Sequence, residues 1–105
     1  MAIFKAQDER LERYKKILIA IVRHRLPDCK IYLFGSRARG AAGPGADIDL
    51  AIDNGTKIAL NCLMDLYGQV EESAIPVPVD LVDVHNVSAD MLKEIGREGV
   101  EWTVS

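Results

Sequence analysis

Apolar residues recur at helical spacing from Asp8 to Leu26: Leu11, Tyr14, Leu18, Ile21 and Val22 share one stripe. Glu9, Arg10, Glu12, Arg13, Lys15 and Lys16 surround it as a solvated face with i,i+4 charge pairing. Pro27 ends the helix, because a residue preceding proline is biased away from helical angles. Ile17 fits a broadened buried face, whereas Ile19 fits either that face or a surface for a partner. The period then shortens to two. Apolar runs at Ile31 to Phe34 and Ile48 to Ile52 predict strands, the first from Lys30 to Phe34, separated by a segment too rich in glycine to pack. Asn54-Gly55 signals a turn, and Asn54 or Thr56 can cap a helix from Lys57 to about Ser73. Leu60, Leu63, Met64, Tyr67 and Val70 form its expected apolar stripe. Pro76 and Pro78 precede a third strand, Val79 to Val84. Ser88 can cap a short helix carrying Met91, Leu92 and Ile95, with Gly99 closing it. Val100 to Val104 adds a terminal strand with Trp102 facing the core.

This order predicts an α+β fold: a mixed sheet of about four strands with helices packed on one face, in a single domain over residues 1–105. The tight joint between the second helix and the third strand leaves the other face open to a ligand.

Composition changes little in this picture. Among 105 residues, 49% are hydrophobic and 28% charged, as in an ordinary globular domain with one core. A net charge of −3 argues against a dedicated nucleic-acid binder, but not against a metal-dependent enzyme that acts on nucleotides. Cys29 and Cys62 lie in no metal-ligand spacing, and no segment resembles a signal peptide or a membrane span. Reduced thiols and a cytoplasmic location are expected.

The chemistry gathers between Leu33 and Asp53. Side chains alternate along a strand, so Asp47 and Asp49 point one way while Ile48, Leu50 and Ile52 point the other. Two adjacent like charges repel, and a divalent cation is the simplest reason to keep them. If Val79 and Leu81 join the helix-covered face, Asp80 lands beside that pair, while Asp83 sits near the strand end and need not be catalytic. Three carboxylates suit Mg²⁺, and two such ions about 3.5–4 Å apart can steady both oxygens of an in-line phosphoryl displacement. The turn before the pair fits the same chemistry. Gly35 lets backbone N–H groups approach an anion, and Ser36 adds a hydroxyl, at the start of a short helix if one begins there. Arg37 and Arg39 then lie within reach of phosphate oxygens, and Gly40, Gly43 and Gly45 let the loop bend back. His24 and His85 have no matched partner, and Met64, Tyr67 and Trp102 read as core.

Gly35-Ser36, ten residues, then Asp47-Ile48-Asp49 resembles the signature of the DNA polymerase β-type nucleotidyltransferase superfamily. The wider run Leu-Phe-Gly-Ser-Arg-Ala-Arg-Gly, then Asp-Ile-Asp-Leu and Val-Asp-Leu-Val, is similar to the minimal nucleotidyltransferases over nearly the whole chain. That resemblance implies a palm-like fold in which Gly35 and Ser36 hold the triphosphate. It also implies that Asp47 and Asp49 bind two Mg²⁺ ions and that Asp80 is the third carboxylate. The implied reaction moves a nucleoside monophosphate, AMP if the donor is ATP, to an acceptor hydroxyl with release of pyrophosphate. Ala46 stands where such proteins often carry serine, which removes a hydroxyl beside the site but not a ligand.

Minimal nucleotidyltransferases are typically encoded beside a small all-helical HEPN protein resembling an RNase toxin, and act as its antitoxin, in some cases by adding AMP to a toxin tyrosine. The resemblance therefore implies a HEPN partner. Two other readings stand beside it. One is a non-catalytic module that neutralises or scaffolds its partner, hinted at by Ile19 and Ala46. The other is an antibiotic-type enzyme whose acceptor pocket a homodimer could build.

Overall fold

The computed structural model describes residues 2–43 and 45–103, with residues 2–8 described by backbone alone. Its elements are α1 (Ala2–Arg25), β1 (Lys30–Phe34), β2 (Ile48–Asp53), α2 (Leu60–Glu72), β3 (Val79–Asp83), α3 (Ala89–Glu98) and β4 (Val100–Glu101). This is the order predicted from periodicity. The terminal strand is shorter than expected, and Val104 lies outside the described residues.

The sheet runs β3-β2-β1-β4. β1 pairs antiparallel with both β2 and β4, whereas β2 and β3 run parallel with Asp49 opposite Asp80. Parallel neighbours need a crossover, and α2 supplies it. One face carries Ile31, Leu33, Ile48, Leu50, Ile52 and Leu81 against Leu18 and Val22 of α1 and Leu66 and Val70 of α2. Ile19 belongs to this core at 2% exposure, so the partner surface it hinted at is absent there. Trp102 faces this core as expected, although it lies just beyond the end of β4. Among the described residues no helix is long and apolar enough to cross a membrane.

α3 departs from the one-face arrangement. Its Ile95 and Met91 pack on Phe34, Ala51 and Val82, which point away from the main core. Phe34, Ala51 and Val82 form an apolar patch on the face that bears Asp49 and Asp80; it needs cover, and α3 gives it. The acidic face is therefore walled on one side rather than open.

α2 also sits in a different phase. Cys62, Leu66 and Val70 form its buried row, whereas Leu60 and Met64 are 72% and 63% exposed. The pattern misled because cysteine, a small hydrophobe, carries no weight in a Leu-and-Met stripe. Its N-cap is Ala59 without a side-chain bond, in place of Asn54 or Thr56. The approach to α2 is tied down elsewhere: buried Asp83 accepts hydrogen bonds from Ile58 N at 2.7 Å and His85 N at 2.9 Å. That use makes Asp83 structural, as its strand parity suggested. His85 does find a partner, with its Nε2 2.8 Å from Asp53 Oδ1. Gly55 N–H and then His85 hold the Asp53 carboxyl below the usual carboxylate range. Ser88 caps α3, its hydroxyl accepting from Met91 N at 3.1 Å, and Gly99 follows the helix end.

Candidate active site

Strand β1 ends at Phe34, and the chain turns at Gly35 with φ +76°, a conformation side chains with a Cβ rarely adopt. Gly35 also lies against the Asp49 carboxylate, where a Cβ would collide with Oδ2. The glycine thus serves the turn and the acidic residue together. Beyond it the chain makes a single turn rather than a helix: Arg39 N donates to Gly35 O at 3.2 Å and Ala41 N to Ser36 O at 3.0 Å.

This turn, the start of β2 and the edge of β3 border an open cavity of about 420 Å³. Gly35, Ser36, Arg39, Asp47, Asp49 and Asp80 all line it, together with Phe34 and with Met91 and Glu94 from α3. Six of the seven residues singled out from sequence therefore meet around one space. Arg37 is the exception. Its Nε and a terminal nitrogen donate to the Ala46 carbonyl at 3.0 and 2.8 Å, so it clamps the loop immediately before Asp47. Arg39 reaches the cavity and is gripped from α3, its guanidinium donating to both Glu98 oxygens at 3.0–3.1 Å.

The electrostatics are those of gathered negative charge. Burial pushes the Asp49 carboxyl above its usual range, and repulsion from Asp80, Asp47 and Glu94 adds to it, with Arg39 acting the other way. The donor set of carboxylates and a hydroxyl fits a hard cation such as Mg²⁺. Among the described residues no three His, Cys, Asp or Glu side chains converge as a ready metal-binding group. Mutual repulsion favours that spread arrangement.

Three contributors were not found from sequence. Met91 and Glu94 join the site because α3 crosses the acidic face, which no local pattern announces. Tyr67, read as core, is half-buried and sends its hydroxyl to Asp80 Oδ1 at 3.0 Å. Its amphipathic character was a signal that it would seek a polar partner, but not which one.

The chain is similar to known proteins over most of its length. Residues 8–101 match the family described as Polymerase beta, Nucleotidyltransferase. A Haemophilus influenzae protein named probable protein adenylyltransferase MntA is 34% identical over 82 residues, 78% of this chain and 71% of its own. A solved toxin-antitoxin structure with AMP-PNP superimposes with TM-score 0.73 and 25% identity, covering 87% of this chain and 73% of that one. The fold is also shared, at TM-score 0.69 and 23% identity, with a complex of tri-AMPylated Shewanella oneidensis HEPN toxin and MNT antitoxin, over 94% of this chain and 73% of that one.

Proposed function

The chain belongs to the polymerase beta nucleotidyltransferase family, and we propose that it transfers AMP from ATP to a hydroxyl on a HEPN-type partner protein, as the antitoxin of that pair. The observation that carries this reading is the shared cavity of Gly35, Ser36, Asp47, Asp49 and Asp80, built on a glycine turn that only a residue without Cβ can make beside Asp49. The relative's description as a protein adenylyltransferase and the AMP-PNP in a solved toxin-antitoxin relative support the donor and the protein acceptor.

In this mechanism the turn at Gly35 and the Ser36 hydroxyl bind the triphosphate, with Arg39 neutralising phosphate charge at the cavity wall. Asp47, Asp49 and Asp80 would hold Mg²⁺, which when bound supplies charge neutralisation for the phosphates and lowers the pKa of a coordinated hydroxyl. Arg37 holds the backbone that presents Asp47. The acceptor oxygen bonds to the α-phosphorus as the bond to the β-phosphate bridge oxygen breaks, pyrophosphate leaves, and Asp80, a carboxylate lining the cavity, takes up the hydroxyl proton.

A second reading, binding without transfer, draws on the exposed Leu60 and Met64 as an apolar surface for a partner. One experiment separates the two. With ATP labelled at the α-phosphate, Mg²⁺ and a candidate HEPN protein as acceptor, covalent label on that protein supports transfer. Bound ATP with no label on the partner contradicts it.

A further inference from the structure

β3 is an edge strand, hydrogen-bonded to β2 on one side only. Its ladder with β2 uses the backbone of Pro78 and Val84, and alternation turns the Leu81 N–H and carbonyl outward. An outward edge inside the cover of a helix needs partners. Tyr67 of α2 meets it: its hydroxyl accepts from Leu81 N at 2.7 Å and lies 3.0 Å from both Leu81 O and Asp80 Oδ1. A phenol has one proton. With two acceptors at equal distance, that proton can hold the Asp80 carboxylate or pass to the Leu81 carbonyl without leaving the hydroxyl unsatisfied.

We propose that Tyr67 is the positioning residue for Asp80: it fixes Oδ1 from outside the sheet, leaves Oδ2 to the cavity that Asp80 lines, and releases Oδ1 by turning its proton to Leu81. The role rests on Asp80 being a metal-holding carboxylate in the transfer reaction proposed above. A tyrosine serving only to cover the β3 edge needs the Leu81 bonds alone. The bond to Asp80 is what distinguishes the two.

Mn²⁺ binding to the whole protein, followed by electron paramagnetic resonance of the free ion, tests this without requiring turnover. Partners that hydrogen-bond a ligating group are typically worth 10–100-fold in metal affinity or activity, so Tyr67→Phe is expected to weaken Mn²⁺ binding by about tenfold or more. In the Asp80→Asn background the same change should have no further effect, since the pair acts as a unit. In the transfer assay kcat should fall comparably, while KM for ATP stays within about twofold because nucleotide binding is not the interaction removed. Wild-type protein that binds Mn²⁺ with the same affinity as Tyr67→Phe overturns the positioning role and leaves the metal reading standing. Wild-type protein that binds no Mn²⁺ overturns both. If Tyr67→Phe does not fold, Mg²⁺ titration of the wild type, read through the Tyr67 ring carbon signals, carries the test: a saturable shift supports the role and an unchanged signal overturns it.

Discussion

A methyl group on Gly35 meets two obstacles at once. The positive φ disfavours any side chain, and the added carbon runs into the Asp49 carboxylate. Gly35→Ala should cost about 1–3 kcal/mol of stability in denaturant melts from the backbone conformation alone. Displacing Asp49 should also reduce AMP transfer by roughly 100-fold, the scale on which misplacement of a reacting group is felt. A variant of unchanged stability and activity would mean the turn is far more forgiving than its geometry. Asp49 itself carries an opposite expectation. Its folded carboxyl is easier to protonate than in the unfolded chain, so folding takes up protons and stability falls as pH rises through the interval between the two pKa values. At neutral pH the penalty is fully present. Metal-free Asp49→Asn should therefore melt above wild type near pH 7, with the gain shrinking as pH falls through the carboxylate range. At this scale strand parity sufficed for Asp47, Asp49 and Asp80, because the side-chain period of a strand is fixed by covalent geometry. It could not reach Arg37, whose length lets it turn to the Ala46 carbonyl as readily as to a phosphate.

Elements differ in how much of their packing a one-dimensional pattern holds. The first three strands were legible to within a residue, since each is bounded by glycine, proline or a turn, whereas the terminal strand is only the first two residues of the run expected. α1 was legible in register but not in width. Ile19, outside the narrow stripe, is core, because a helix pressed against a sheet buries more than a single seam. α2 was legible in existence and misread in phase. Substitution separates the two faces. Ile19→Ala should cost about 2–5 kcal/mol in urea or thermal melts, whereas Leu60→Ala and Met64→Ala, on the exposed side, should stay within about 0.5 kcal/mol. The reverse ranking would mean that α2 packs by its Leu60–Met64 face.

For the molecule as a whole, what the sequence could not convey is that α3 crosses to the acidic face. Helix pattern gives an apolar stripe but not the side of the sheet it will cover, and Met91 and Ile95 fit either face by size. That placement walls the site with Met91 and Glu94 and ties Arg39 to Glu98, so the cavity lies between the acidic face and its covering helix. The site is then complete from three strands' worth of backbone, one glycine turn and a covering helix. The most direct test of the central claim is the Mg²⁺-dependent transfer of α-phosphate label from ATP to the HEPN partner by wild type and by Asp49→Asn side by side. Covalent label on the partner is expected with wild type, none without Mg²⁺, and none with folded, partner-binding Asp49→Asn. Label of equal intensity with Asp49→Asn, or none with wild type that binds ATP, would contradict the claim.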